Sequence, residues 1–186
     1  MQYRNYIMAK IIFICCFLLF IATCVYAGLT VDGDVVYDNA NNLTWAKDAN
    51  YLKTQDMHSS DRRVDFLGRT DWRTANSYAE SLSLGGSEDW RLPADVEEFQ
   101  SLTSQDGWES YFDNVIEQPY WTADREGRTR TYWSYSLVTQ LGSLVNERSS
   151  RAVWFVSDGS VGNIYKVADD GSSYFLLSGE TYVVAD

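Results

Sequence analysis

The sequence predicts a single α+β domain, with helices packed on a mostly antiparallel β-sheet. Three observations carry that prediction. Two segments in the middle of the chain place apolar residues three and four positions apart, the spacing of one helical face. After Gln118 the chain turns to short aromatic and β-branched runs broken by Gly and Asp, the pattern of strands. Near the start, an Asn- and Asp-rich stretch separates two more such runs, as in a β-hairpin.

The first 27 residues are read apart from the fold. Arg4 and Lys10 precede an apolar run, Ile11 to Val25, which ends in Val25-Tyr26-Ala27. A basic start, a short apolar stretch and small residues at its end make a secretory signal peptide, with cleavage after Ala27. The run falls short of the roughly 20 apolar residues of a membrane-spanning helix, so no span is expected after cleavage. Retention as an anchor and lipidation at Cys24, after Ile21-Ala22-Thr23, are the alternatives. Cys15, Cys16 and Cys24 all lie in this segment, so the chain from Gly28 onward offers no thiol for a disulfide, a metal site or a nucleophile. Removing 27 of 186 residues leaves 159, residues 28–186, enough for one domain that rests on its hydrophobic core.

In the first structural segment, Val35-Val36-Tyr37 and Leu43-Thr44-Trp45 flank Asp38-Asn39-Ala40-Asn41-Asn42. Asn and Asp tolerate left-handed backbone and bond their own turns, which gives the hairpin. Lys47 to Thr70, polar and aperiodic and holding the sole histidine, His58, reads as a long surface loop. Trp72, Ala75, Tyr78, Ala79 and Leu82 then share one helical face; Asp71 is the expected N-cap and Gly85-Gly86 the stop. A second helix is expected from Pro93 to about Ser104, with Val96, Phe99 and Leu102 as its apolar stripe and Asp95, Glu97 and Glu98 where the helix dipole favours anions. The runs PYWTA, RTYWSYSLV, RAVWFVS, SYFLLS and ETYVVA are the expected strands.

The charge pattern restricts the partners. The formal charge of −11 becomes −13 once Arg4 and Lys10 are removed, so nucleic acid is not expected as a partner. Basic residues concentrate in one region: Gly28–Gln118 carries 7 basic against 18 acidic residues, Pro119–Lys166 carries 6 against 4, and Val167–Asp186 none against 4.

No catalytic pattern emerges. His58 is the only imidazole, and no Ser sits in a nucleophile elbow. HExxH and GxxxxGK[ST] are both absent from the sequence. The chain is therefore expected not to be an enzyme and to need no cofactor. Calcium is the one ion weighed, because Asp32-Gly33-Asp34, Asp38/Asn39/Asn41/Asn42 and Asp169-Asp170-Gly171 offer oxygen ligands, but none has the spacing of a calcium loop. For ligand binding, Trp108, Trp121, Tyr132 and Trp133 are candidate stacking surfaces. Arg125, Arg128, Arg130, Arg148 and Arg151 are candidate donors to carboxylate or sulfate.

Three blocks, VVYDNANNLTWAKDAN, SLSLGGSEDWRLPADVEEFQSL and YWSYS followed by AVWFVSDGSVGN, resemble the Lcl C-terminal domain family, the C-terminal domain of bacterial collagen-like adhesins. The resemblance implies a C-type-lectin-like fold of two helices on a long-loop antiparallel sheet, export to the periplasm or cell surface, and extracellular binding without established catalysis. Some relatives bind sulfated polysaccharides as trimers on a collagen-like stalk. Here there is no Gly-X-Y stalk, Ala94 stands where a capping Thr or Ser commonly follows DWRLP, and the closing strand lacks a common Cys. The related formylglycine-generating enzymes share the Arg-Leu-Pro helix entry, but their cysteine chemistry is absent. Asp89, Trp90, Arg91, Leu92 and Pro93 are accordingly read as scaffold, with Trp90 entering the core. The expected function is an exported binding module for a glycan or surface protein, with oligomerisation left open. The alternative is a structural or protein-interaction domain with no small ligand.

Overall fold

The computed structural model describes residues 28–160 in full and, beyond them, the backbone of three strands. The expected signal peptide and the candidate calcium stretch at Asp169-Asp170-Gly171 lie outside the described residues. The chain is α+β, with antiparallel sheets and few helices.

The expected hairpin forms between β2 (Val35–Asp38) and β3 (Leu43–Ala46), in register from Val35↔Ala46 to Asp38↔Leu43. Its turn satisfies itself. Buried Asp38 accepts the N–H groups of Ala40 and Asn41 and the Asn41 amide, and Tyr37 Oη donates to Asn42 Oδ1. These oxygens serve the turn. A preceding strand that the sequence pattern did not single out, β1 (Leu29–Asp32), pairs with β2.

The stretch expected as a surface loop is built differently. It holds two four-residue helices, α1 (Tyr51–Thr54) and α2 (Met57–Ser60), and buries Ala49, Leu52 and Val64. These helices are too short to show periodicity. Carboxylates fasten the remainder: Asp61 accepts from Arg63 N, Nε and Nη2 and from Tyr78 Oη, and Asp65 from Leu67 N, Arg69 N and Arg69 Nε. Gly68 closes the stretch against α1. Its φ is +78°, and a Cβ there would lie 2.5 Å from Asn50 Oδ1 and 2.8 Å from Lys53 Cβ, so no other residue fits.

Both expected helices are present, with shifted ends. The first, α3, runs Trp72–Ser81, capped by Asp71, whose side chain accepts from Thr74 N. It ends before the Gly pair. The second, α4, runs Val96–Thr103, starting three residues later than Pro93. Phe99 and Leu102 are fully buried on its stripe.

The expected single sheet is divided. β8 (Val156–Asp158) joins the N-terminal strands, with the two-residue β4 (Trp90–Arg91) at its other side, giving the order β1-β2-β3-β8-β4. β5 (Tyr120–Arg125), β6 (Thr131–Ser136) and β7 (Leu141–Asn146) form a second antiparallel sheet. β7, reading LGSLVN, was not expected, because its Gly and Ser hide the strand pattern. β9 (Ile164–Val167), β10 (Ser173–Leu177) and β11 (Thr181–Val184) make a third, separate sheet.

The first two sheets meet at Trp154, on the extended segment before β8. Its ring lies 4.9 Å from Phe112, 5.3 Å from Trp45, 5.4 Å from Tyr120, 6.1 Å from Phe99 and 6.2 Å from Trp108. Trp154 Nε1 donates to Ala46 O at 2.8 Å, which pairs its one polar atom inside the core.

Trp154→Ala is expected to cost about 3–5 kcal/mol, a large share of the roughly 5–15 kcal/mol that holds a domain of this kind; denaturant unfolding measures it. The carboxylate-fastened stretch sets a pH dependence. The Arg63 hydrogen bonds bring Asp61 down to about 2. Burial opposes charge on Asp65, but the Arg69 and Leu67 bonds outweigh it and lower its pKa too. Both folded values lie below the unfolded ones, so the stabilisation is present above about pH 4 and is lost as pH falls through the folded values. Thermal melts should fall between about pH 4 and about pH 2. Asp61→Asn should be less stable than the parent near neutral pH and should lose less on acidification.

Candidate functional site

The DWRLP stretch packs as scaffold. Trp90 is buried, and its Nε1 donates to both Leu84 O and Ser87 O at 3.2 Å. Those carbonyls belong to a tight turn in which Leu84 and Ser87 exchange backbone bonds. The turn needs φ of +59° at Gly85 and +80° at Gly86, which is why a glycine pair stands there. The pair thus forms this turn after the helix has already ended at Ser81, and does not itself stop α3.

Arg91 is the clamp of the corner. Its Nη1 and Nη2 meet Glu98 Oε2 and Oε1 at 3.0 and 2.8 Å, and Nη2 also reaches Asp158 Oδ1 at 2.6 Å. Burial disfavours its charge, but the Glu98 and Asp158 bonds prevail and raise its pKa. Glu98 in turn accepts Ala94 N–H at 2.7 Å, while Asp95 accepts Glu98 N–H at 3.1 Å. The cap that Ala94 cannot give is supplied by Asp95, while Glu98 reaches back past it to the N–H of the preceding residue. Leu92 is fully buried, and Pro93 O accepts Ala123 N–H at 2.7 Å, tying the corner to β5. Asp89 is exposed and its carboxylate has no partner among the described residues, so its side chain does not share the scaffold role read for this stretch.

Three of the four proposed stacking surfaces are buried and the fourth is partly so. Trp121 is fully buried, and its Nε1 donates to Thr70 O at 2.9 Å. Trp108 is buried in the Trp154 cluster. Alternation along a strand does not reveal which face is inward, and both indoles face the core. Tyr132 is buried too, stacked on Trp72 at 3.9 Å, with the Arg125 guanidinium 5.9 Å from its centroid. Trp133 is half-buried beside Gly142 and Val96. None of these rings is an open platform.

The arginines fare differently. Backbone bonds run from Trp72 N to Glu147 O at 2.9 Å, and reciprocally between Thr70 and Arg151 at 3.0 and 3.1 Å, so residues 147–151 lie along residues 70–72. Glu147 N donates to Arg130 O at 2.8 Å, bringing in the β5–β6 end. The result is a ridge that carries Arg69, Arg73, Arg125, Arg128, Arg130, Arg148 and Arg151. Asp65, Asp71, Asp124, Glu126 and Glu147 accompany them, leaving the ridge positive on an acidic chain.

Most of these cations are only partly compensated. Buried Glu147 is shared, 3.4 Å from Arg73 Nε and 3.8 Å from Arg130 Nε. Arg125 donates to the neutral carbonyls of Thr129 and Arg128. Arg128 and Arg148 are exposed, and their guanidinium groups have no partner among the described residues. Arg151 donates Nη1 to Ser150 O but leaves its buried Nε unpaired; burial and the nearby Arg69 charge lower its pKa. Arg69 and Arg73 were missed from sequence. Their one signal is that Asp-Trp-Arg occurs twice in the chain, and the earlier copy, Asp71-Trp72-Arg73, begins two residues after Arg69.

Among the described residues, no group of three or more His, Cys, Asp and Glu is placed to hold a metal ion. None of their helices is long and apolar enough to cross a membrane. The family model of the Lcl C-terminal domain matches residues 34–157. No curated protein and no solved structure gives a significant match.

If the corner is scaffold, Trp90→Ala should cost about 3–4 kcal/mol through cavity formation, and Arg91→Ala about 2 kcal/mol by leaving Glu98 without its charged donor. Arg91→Lys should recover less than half of that, because an ammonium cannot replace the two-pronged contact. Calorimetric melting compares the three, and full stability of Trp90→Ala or Arg91→Ala would contradict the assignment.

Proposed function

This chain belongs to the Lcl C-terminal domain family, and we propose that it is an exported, non-enzymatic binding module that holds an anionic, sulfate- or carboxylate-bearing glycan along the arginine ridge. The carrying observation is the free guanidinium groups of Arg128 and Arg148 beside the half-compensated Arg73, Arg125 and Arg130. A planar guanidinium presents paired donors that match the two oxygens of a sulfate or carboxylate. On a chain of formal charge −11, the cations gathered here make this strip a favoured place for an anion.

The proposal includes a C-type-lectin-like architecture. Near the ends of the matched region, β2–β3 and β8 are drawn into one sheet, two longer helices pack beside it, and the second sheet with its connecting loops carries the ridge. Family membership and the expected signal peptide support a placement outside the cytoplasm. A second reading, a protein-interaction domain, draws on β7, an edge strand where Leu141 is 66% exposed, with Val138 at 64% just before it.

The test is a glycan array with heparin-type and neutral glycans, repeated with Arg125, Arg128, Arg130 and Arg148 changed to Ala. Sulfated glycans should bind, lose roughly tenfold or more in affinity in the variant, and release at high salt. Glycan signal indifferent to the four changes would reject the ridge. No glycan signal, with a protein captured through β7 and lost on Leu141→Lys, would favour the second reading.

A further inference from the structure

Away from the ridge, a cleft of about 330 Å³ opens between the residue before β2, the end of β3, α1 and the chain after the Trp108–Tyr111 turn. Three carboxylates line it, Asp34, Asp48 and Asp113, against one cation, Lys47. Lys47 is already committed, its Nζ 3.1 Å from Asp113 Oδ2. Asp48 gives Oδ1 to the Asn50 N–H at 2.9 Å and keeps its other oxygen. The Asp34 carboxylate has no partner among the described residues.

The walls cannot relax this excess by drifting apart. Backbone bonds from Lys47 N to Asp34 O, Asp113 N to Lys47 O and Ala49 N to Asp113 O, each 2.9 Å, lock the three segments together. Acceptors therefore predominate in a preformed site, which suits a ligand that donates hydrogen bonds and carries positive charge. The volume is at the small end of ligand pockets, room for a single ring. Tyr51, set edge-on to Phe155 at 6.1 Å and 80°, gives one aromatic wall, and the C–H face of a sugar ring packs on such a surface. Asn114 Nδ2 points to Thr54 Oγ1 at 3.4 Å, leaving its carbonyl oxygen for a hydroxyl. A bare metal ion does not fit, since no group of three metal-ligating side chains is placed for one among the described residues.

We propose that this cleft binds the ammonium form of a single amino-sugar unit, with Asp34 and Asp48 taking the ammonium, Tyr51 the ring face, and Asn114 and Gln55, which also lines the cleft, the hydroxyls. The site is independent of the arginine ridge.

The experiment is an NMR titration of the purified protein with glucosamine, N-acetylglucosamine and butylamine, at a mildly acidic pH that keeps both amines protonated. Glucosamine should shift the amide signals of Lys47–Gln55 and Asp113–Asn114. N-acetylglucosamine, the same ring without the charge, and butylamine, the charge without the ring, should each bind roughly tenfold or more weakly. Asp34→Asn should weaken glucosamine to a similar degree with unchanged melting temperature, because that carboxylate supports nothing in the fold. Glucosamine binding no tighter than either control, or indifferent to Asp34→Asn, or no shift at tens of millimolar, would overturn the proposal.

Discussion

The structure depends on Trp154. Its indole touches the N-terminal hairpin through Trp45, helix α4 through Phe99, the 3₁₀ turn through Trp108, the chain beyond it through Phe112 and the second sheet through Tyr120. Its N–H is spent on Ala46 O, 108 residues earlier in the chain. One large side chain with one donor thus joins the two ends of the domain. Because interiors pack at crystal-like density, five rings meeting one indole leave little freedom in how the sheets and α4 sit relative to each other.

Around that centre, charged residues divide into two kinds of work. Arg91, Glu98 and Asp158 spend their charges on one another at the DWRLP corner, as Asp61 does with Arg63 in the stretch before α3. Such groups hold geometry and offer nothing further to a partner. On the ridge and in the cleft, the counter-charges are too few: Glu147 serves two arginines, and Lys47 serves one of three aspartates. Uncompensated charge held on rigid backbone is the feature on which both proposed sites rest.

How much was legible depended on how local each signal was. The β2–β3 hairpin, the Asp71 cap and the Phe99 and Leu102 stripe are set by neighbours within a few residues, and all were read from sequence. The buried faces of Trp121 and Trp108 were not, because a Trp in an aromatic strand or turn looks the same whichever way it points. Strand β7 was hidden by its Gly and Ser, and α1 and α2 by their brevity. Arg69 and Arg73 are far in sequence from Arg125 and Arg148; only the pairing of residues 70–72 with 147–151 brings them onto one ridge.

By itself, then, the sequence determined the β2–β3 hairpin and the two longer helices, the membership of a family through DWRLP and its companion blocks, and an excess of negative charge with one basic stretch. Tertiary structure alone decided which aromatics are core, which carboxylates share or lack a cation, and that the strands divide into three sheets. The physical reason is the range of the forces. Helix caps and turns are settled by bonds between residues a few positions apart, whereas burial and charge compensation are settled by whichever distant segments packing around Trp154 brings together.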